Sequence, residues 1–402
     1  MDSVHGREDR ARSLFHKVAE RQRYWLAAIV GVILATHVAI ITTPGRPLFD
    51  EQHYVTDARA IIAGAGSSRL EHPPLGKLFI VSGILLCGDN PVGWRVLSVI
   101  FGTLSLLLFH LICRHLMSSK TALFLATFLL AFENLSFIQA SVAMLDVFCL
   151  TFMLLAFLLY LEGRYLCASI SVALSALTKL NGALALPAIL LHWIFSGRKD
   201  SARFGASLVT APAAFISLMP ALDFLVFHKF LNPINRIKTM LDLSASLTFA
   251  TADHPALSRP WEWVLRPIVM PYWYEPHYLG AISFTLWALI IPSTVYLIFK
   301  AKQGDNASLF GISWFASTYL VWLPISVITD RISFVYYFYP AVGPICIGAG
   351  LGFQQLLTTA TERGGKLKKV ALPAVATYLV LHIAVFVILS PLSTWWSIAS
   401  FA

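Results

Sequence analysis

The sequence WLAAIVGVILATHVAIITT, residues 25–43, is followed directly by the polar segment PGRPLFDEQHY, residues 44–54. The first stretch is long enough to cross a hydrocarbon layer of about 30 Å as a helix. The second places Asp50 and Glu51 side by side just after that helix. Carboxylates this close to a hydrocarbon layer are costly unless they are paired or functional. The junction therefore predicts a membrane fold with a polar site at one membrane face.

The whole chain has the composition of a membrane protein. Of its 402 residues, 57% are hydrophobic and 13% are charged, and the mean hydropathy is +0.71. An ordinary soluble domain is about half apolar and about one quarter charged. Apolar runs recur along nearly the whole length without the alternation of a barrel strand, so we expect them to be helices. These features predict an all-α polytopic membrane protein.

The basic residues predict how these helices are oriented. Arginines are frequent before Trp25 and basic residues recur in every second turn, so the positive-inside rule places the N-terminus in the cytoplasm. Alternating from there gives about eleven transmembrane helices and an extracytoplasmic position for Asp50 and Glu51. The crossings are predicted at residues 25–43, 93–116, 121–132, 142–161, 165–178, 183–195, 204–227, 279–299, 309–328, 334–357 and 370–389.

The parts of the chain follow from this topology. Residues 1–24 are a predicted cytoplasmic basic tail, residues 25–390 a transmembrane domain, and residues 391–402 an extracytoplasmic C-terminal tail. Two extracytoplasmic loops are long, the first at residues 44–92 and the central one at residues 228–278. Long loops in compact proteins usually carry function.

Interfacial helices are predicted in both of these loops. Residues 51–64 and residues 229–250 are amphipathic, which favours helices lying in the membrane surface. The apolar piece at residues 75–87 is too short to span securely, so we expect it to lie in the surface or to re-enter.

Charge and cysteine usage exclude several classes of protein. The net charge of +9 is dispersed over short loops, so no nucleic-acid partner is expected. The five cysteines lack metal-ligand spacing and are interpreted as buried apolar residues. His53 lies beside the acidic pair, but no second histidine has ligand spacing, so no resident metal or cofactor is predicted. A labile divalent cation shared by carboxylates and a phosphate stays open.

The charged side chains at the predicted outer face suit one kind of chemistry. Arginines and lysines can hold a lipid-linked phosphate, while a carboxylate can take a proton from an incoming hydroxyl. The candidates at this face are Asp50, Glu51, His53, His72, Lys77, Arg95, Asp146, Lys179, Arg259, Arg266 and Arg331.

Many of these residues occur in short motifs that follow one another along the chain. The motifs are FDEQHY at 49–54, HPPLGK at 72–77, GWR at 93–95, AMLDVF at 143–148, TKLNG at 178–182, SRPW at 258–261 and RISFVYYFYP at 331–340. Their order and approximate spacing resemble the protein O-mannosyltransferase family. The central loop lacks the large soluble insert of the eukaryotic members, so the chain resembles the short prokaryotic form.

This resemblance implies a function and a site. Residues 25–390 would be a transmembrane glycosyltransferase domain in a prokaryotic plasma membrane. It would transfer mannose, with inversion, from dolichyl- or polyprenyl-phosphate mannose to serine or threonine hydroxyls of exported proteins. Asp50 would be the catalytic base, with Glu51 beside it. Donor phosphate and sugar binding is expected of Arg95, Asp146, His72, Lys77, Lys179, Arg259 and Arg331.

Several candidate residues also have a purely structural interpretation. Asp50 and Glu51 could cap the next helix, Lys77 and Arg95 could snorkel to lipid headgroups, and Asp146 could pair with a neighbouring helix. The aromatic residues between positions 261 and 278 are typical of an interfacial belt.

Two other functions are compatible with the same composition. A related transferase could use the same donor class with a lipid or glycan as acceptor. A lipid-linked-sugar transporter would instead have charges at the midplane of several spans and an internal repeat. The polar residues gather at one face and no repeat is evident, so transfer is favoured over transport.

Overall fold

The apolar runs fold as helices throughout the part of the chain that this computed structural model describes, residues 21–198, 200–252, 254–274 and 277–392. The predicted mainly helical membrane fold is therefore confirmed. Most of the predicted N-terminal tail and most of the predicted C-terminal tail lie outside the described residues.

The first half of the chain consists of helices of unequal length. They are α1 (Gln22–Ile40), α2 (Glu51–Ile62), α3 (Leu75–Cys87), α4 (Pro91–Leu116), α5 (Lys120–Ala131), α6 (Asn134–Ser141), α7 (Leu145–Leu161), α8 (Tyr165–Thr178) and α9 (Ala185–Phe195). A 3-10 turn at Leu180–Leu184 joins α8 to α9.

The second half contains the longest helix of the described residues and a small hairpin. Its helices are α10 (Ser201–Phe227), α11 (Pro233–Ser246), α12 (Glu262–Leu265), α13 (Phe284–Ala288), α14 (Ile290–Lys302), α15 (Asn306–Phe315), α16 (Trp322–Thr329), α17 (Val342–Arg363) and α18 (Gly365–Leu389). A π-helical turn at Ala316–Leu320 joins α15 to α16, and a 3-10 helix at Val335–Ala341 leads into α17. Strands β1 (Met270–Trp273) and β2 (Tyr278–Gly280) pair antiparallel.

Six helices or helix runs of the described part are long and apolar enough to cross a membrane. They are α1, α4, α10, the run from α15 through α16, the run Val335–Arg363, and α18. Helices α5 and α6 would make a seventh span if the pair, bent by 53°, is counted as one. Four further apolar helices are only 10–17 residues long. The predicted count of eleven spans therefore stays a prediction.

Two predicted spans differ from the structure in their detail. The predicted crossing at residues 142–161 begins later, because the backbone is extended at Val142 and α7 starts at Leu145. The predicted crossing at residues 279–299 is divided between β2, α13 and α14. Pro292 stands in the first turn of α14, where its missing N–H leaves no intrahelical bond unmade.

Asparagine–proline pairs start two of the helices that border the long loops. The Asn90 side chain accepts hydrogen bonds from the backbone N–H of Val92 at 2.9 Å and of Gly93 at 3.2 Å, and Pro91 takes the first helical position of α4. Asn232 and Pro233 start α11 in the same way. Both arrangements satisfy N–H groups that a helix start otherwise leaves unpaired. Helices α2 and α11 thus occur where interfacial helices were predicted, at residues 51–64 and 229–250, while their place in a membrane surface stays a prediction.

Two motif glycines allow the helices that carry charged residues to approach closely. A Cβ atom on Gly76 would lie 2.9 Å from the Leu145 side chain and 3.2 Å from the Thr178 carbonyl oxygen. A Cβ atom on Gly182 would lie 2.3 Å from the backbone of Ser175. The start of α3, the start of α7 and the end of α8 therefore meet at one place.

Candidate active site

Asp50 stands at the turn between α1 and α2 and faces a cavity. The preceding residue, Phe49, has a φ of 44°, a left-handed conformation that a bulky side chain rarely adopts. Asp50 precedes the first residue of α2, yet its side chain makes no capping hydrogen bond there. Its Oδ2 accepts instead a long hydrogen bond of 3.4 Å from the Tyr336 hydroxyl. The carboxylate is thus directed away from its own helix.

The cavity at Asp50 has a volume of about 160 Å³ and a mixed polar and aromatic lining. Its lining comes from the first loop, the end of α8, the segment after α11 and the segment after α16. The lining residues are Asp50, His53, Tyr54, Arg69, Glu71, His72, Lys179, Leu247, Arg331, Ile332, Phe334, Tyr336 and Tyr337.

Burial raises the pKa of Asp50 from 3.8 to about 6. The charge of Lys179 opposes this shift, the charge of Asp146 adds to it, and Arg69 and the Tyr336 hydroxyl oppose it. A carboxylate with a pKa near 6 is mostly ionised at neutral pH and is a stronger base than an ordinary aspartate. Asp50 therefore has the protonation behaviour of a general base.

Lys179 is held rigidly at the edge of the cavity. Its Nζ lies 2.8 Å from both carboxylate oxygens of Asp146. It also lies 5.1 Å and 5.3 Å from the ring centroids of Tyr336 and Tyr337, which places the cation against aromatic faces. Asp146 itself does not line the cavity. Its contact with the site passes through Lys179.

Glu51 and Arg95 form a buried ion pair away from the cavity. Both side chains are completely buried, and the Arg95 guanidinium donates to both Glu51 carboxylate oxygens at 2.9 and 2.8 Å. Its remaining N–H groups donate to backbone carbonyls at the end of α1 and the start of the first loop, those of Ile41, Pro44 and Arg46, at 3.0–3.1 Å.

An arginine has five N–H donors, and all of those on Arg95 are used in these contacts. The Glu51 carboxylate accepts further bonds from the backbone N–H of Leu48 and of Ala143, each at 2.9 Å. No donor on Arg95 is left for a phosphate. The pair therefore holds the first loop, and the expected roles of Glu51 beside the base and of Arg95 at the phosphate stay predictions.

Lys77 and Arg259 also point away from the cavity. Lys77 is 1% exposed, and its Nζ lies 2.9 Å from Asp57. Arg259 donates to the Asp330 carboxylate at 2.6 Å, next to the cavity residue Arg331. Neither lines the cavity. In the structure both hold chain segments beside the site, and their expected donor contacts stay predictions.

His72 and Arg331 do line the cavity, as the donor-binding prediction requires, but His72 is not a cation. Burial lowers the pKa of His72 well below its usual value, and the positive charges of Lys179, Lys77, Arg331 and Arg69 lower it further. The neutral ring lies 3.2 Å from the Tyr54 hydroxyl through Nε2. His72 can therefore serve as a hydrogen-bonding group of the wall.

Sequence reasoning missed several residues of the cavity. Arg69 is the main one, a second guanidinium beside Glu71, at 3.6 Å between Nη1 and Oε1. It stands three residues before the motif at 72–77, and that proximity was the available signal. Tyr336 and Tyr337 belong to a motif that was recognised without assigning them a role. Among the described residues, no group of three or more His, Cys, Asp or Glu side chains could hold a metal ion.

The fold is shared with two proteins of known structure. The structure of the S. cerevisiae protein O-mannosyltransferase Pmt1-Pmt2 complex matches with a TM-score of 0.68 at 11% identity, covering 90% of this chain and 89% of that one. ArnT from Cupriavidus metallidurans matches with a TM-score of 0.62 at 15% identity, covering 92% and 76%. The chain therefore has the same fold as these two proteins.

Part of the sequence resembles one protein family. Residues 71–227 match the family model for dolichyl-phosphate-mannose-protein mannosyltransferase. The polyprenol-phosphate-mannose–protein mannosyltransferases of Mycobacterium tuberculosis and Mycolicibacterium smegmatis are 31% and 29% identical over 149 and 145 residues. The resemblance to the protein O-mannosyltransferase family is thereby confirmed.

These sequence matches cover only part of the proteins compared. The two mycobacterial alignments span 34% and 35% of this chain and 28% of each relative. The family match includes His72 and Lys179. It begins after Asp50 and ends before Arg331, so these last two cavity residues lie outside it.

Proposed function

We propose that this protein is a glycosyltransferase that moves mannose from polyprenyl-phosphate mannose to serine or threonine hydroxyls of exported proteins, with inversion at the anomeric carbon. The observation that carries the proposal is the position of Asp50. Its carboxylate faces a cavity that is also lined by Lys179, Arg69 and Arg331. A base and a group of cations are thus presented to one small volume.

The proposed reaction is a single displacement. The acceptor oxygen attacks the anomeric carbon of mannose while the bond from that carbon to the phosphate oxygen breaks. Asp50 accepts the proton of the acceptor hydroxyl, and the phosphate leaves with the bonding electrons. General-base assistance of this kind contributes typically 10²–10⁴-fold to the rate.

The cations of the cavity stabilise the departing phosphate. Lys179 is fixed by Asp146 and by two tyrosine rings, so it needs no reorganisation when negative charge develops. Arg69 and Arg331 add guanidinium groups, which suit phosphate oxygens geometrically. The ring of Phe334, stacked on Tyr336 at 5.5 Å, provides an apolar wall for the sugar.

The cavity lies at one end of the helices, which supports an extracytoplasmic site. Asp50 follows α1, Asp146 is in the first turn of α7, and Lys179 directly follows α8. Basic turns mark the other ends of these helices, as the positive-inside rule requires of a cytoplasmic face. The proposed topology is about eleven spans in a prokaryotic plasma membrane, with the N-terminus in the cytoplasm.

The proposal is tested by transfer of radiolabelled mannose from polyprenyl-phosphate mannose to a peptide rich in serine and threonine. Purified wild-type protein is compared with Asp50→Asn, and with Asp242→Asn as a control that removes an exposed acid on α11. We expect labelled peptide from the wild type and the control, and a loss of at least 100-fold for Asp50→Asn. Normal transfer by Asp50→Asn would remove Asp50 from the role of base.

The acceptor is the part of the proposal with an alternative. The fold is also shared with ArnT, whose structure has been solved with undecaprenyl phosphate bound, and no second protein is part of that complex. Label on a lipid or glycan of the same membranes, with none on any peptide, would move the assignment to such an acceptor. Movement of the donor across the membrane without its consumption would indicate a transporter.

A further inference from the structure

The loop between α2 and α3 brings three side chains to the cavity. We call residues 65–73 the cavity loop, because Arg69, Glu71 and His72 all line the cavity. The cavity loop has no helix or strand of its own, so its shape depends on contacts with neighbouring elements. Buried charged side chains hold it from two sides.

The first side is the pair formed by Asp57 of α2 and Lys77 of α3. The Asp57 carboxylate accepts hydrogen bonds from the Ser67 hydroxyl at 2.6 Å and from the backbone N–H of Ser68 at 3.0 Å. The Lys77 ammonium donates to the Ser67 hydroxyl at 2.5 Å and to the Arg69 carbonyl oxygen. This pair fixes the beginning of the cavity loop from within the same region of the chain.

The second side is Arg236, which belongs to α11 in the central loop. Its Nη1 donates to the Leu70 carbonyl oxygen, and its Nη2 donates to the His72 carbonyl oxygen at 3.0 Å. Arg236 is 6% exposed, and its Nε lies 3.5 Å from Asp223, which is completely buried near the end of α10. The hydrogen bonds from Arg236 to Leu70 and His72 join residues more than 160 positions apart in the sequence.

The geometry of this contact sets the direction of the cavity side chains. The two carbonyls held by Arg236 flank Glu71, and one of them belongs to His72 itself. A guanidinium donates through a rigid planar fork, so it fixes both carbonyls relative to each other. A lysine has a single ammonium on a flexible stem and cannot reproduce the fork. Arg236 itself does not line the cavity.

We infer that Arg236 is a positioning residue of the transferase, which orients the cavity loop and with it Arg69 and His72. The inference rests on the proposed function for its kinetic consequence, while the effect on the loop is independent of it. Through Arg236, the central extracytoplasmic loop sets the shape of a site built mainly by the first one. Asp223 keeps the guanidinium charge compensated in its buried position.

The test compares Arg236→Gln and Arg236→Lys with Lys238→Gln, which removes an exposed cation from the same helix. Arg236→Lys retains a positive charge beside Asp223, so it keeps the protein folded if Arg236→Gln does not. Two measurements are made on each purified protein. One is hydrogen–deuterium exchange of peptides covering residues 65–73, and the other is kcat and KM for mannose transfer.

We expect faster exchange in the cavity loop for both Arg236 variants, with the protection of α4 and α7 unchanged. We expect kcat to fall about 10- to 100-fold with little change in KM for the acceptor peptide, and Lys238→Gln to match the wild type. Unchanged exchange and unchanged kcat in Arg236→Lys would overturn the inference. If the wild type transfers no mannose, the proposed function fails, while the exchange result still decides whether Arg236 holds the loop.

Discussion

Replacing Arg95 with methionine separates a structural role from a role in donor binding. The substitution keeps an unbranched apolar stem and removes the guanidinium. Glu51 then remains as a buried charge without its partner, and the carbonyls of Ile41, Pro44 and Arg46 lose their donors. Breaking one side of a buried ion pair costs about 3–5 kcal/mol. Net losses of about 0.5–1.5 kcal/mol for each carbonyl bond add to this only in part, because the contacts share one side chain.

The assay is equilibrium unfolding in mixed detergent micelles, followed by tryptophan fluorescence. We expect Arg95→Met to lower the free energy of unfolding by at least about 3 kcal/mol. The double variant Glu51→Gln with Arg95→Met should be less destabilised than the sum of the two single variants, because it leaves no buried charge. The part of the protein that stays folded should bind radiolabelled donor as the wild type does.

The opposite pattern would refute this reasoning. If Arg95→Met unfolds like the wild type but loses donor binding, the guanidinium contacts the phosphate. The hydrogen bonds to the first loop would then be secondary. The sequence-based expectation for Arg95 would be restored.

Two further predictions concern the cavity. Because the pKa of Asp50 is raised to about 6 and the base must be ionised, kcat/KM should rise with pH through about 6 and level off above about 7. At pH 5 it should be about tenfold below the plateau, and a profile that stays flat down to pH 4.5 would exclude Asp50 as the base. Lys179→Met removes a positive charge that lowers the pKa of Asp50, so the acid limb should move to higher pH while kcat falls about 10- to 100-fold. Lys238→Met is the matched control. If the acid limb of the pH profile does not move in Lys179→Met, the charge of Lys179 does not affect the titration of the base.

The polar residues at the ends of predicted helices were the part of the site that sequence could predict. Asp50 follows an apolar span, Lys179 follows another, and Arg331 opens an aromatic motif, so each was visible as a charge at a membrane face. All three line the cavity. The cost of such charges near hydrocarbon made them informative without a structure.

The cations that form buried ion pairs instead of lining the cavity could not be identified in the same way. Arg95 and Lys77 are also cations at helix starts, yet they turn towards Glu51 and Asp57. Arg95 and its partner are 44 positions apart, and only the packing of α4 beside the first loop brings them together. A pattern of charges shows that placing a cation near the hydrocarbon layer is costly in free energy. It does not show which carboxylate pairs with that cation.

The helix count was limited by a similar lack of tertiary information. Helices such as α8, with 14 residues, are short for a hydrocarbon layer when judged alone. The break in the helix at Val142 to Met144 and the division between α13 and α14 depend on neighbours that a hydropathy pattern does not include. The mainly helical class was predictable because it follows from the composition and from apolar runs without the alternation of a barrel strand.

The immobility of Lys179 has a consequence for the choice of donor. The Lys179 ammonium is held by a carboxylate and two aromatic rings. It does not move towards the substrate, so the donor phosphate must bind at the same depth relative to the membrane as the ammonium. A polyprenyl tail is embedded in the bilayer and keeps its phosphate at a nearly constant depth, whereas a water-soluble sugar phosphate has no membrane anchor. The fixed position of the Lys179 ammonium therefore favours donors whose phosphate is held at that depth by a lipid tail over water-soluble donors with the same headgroup.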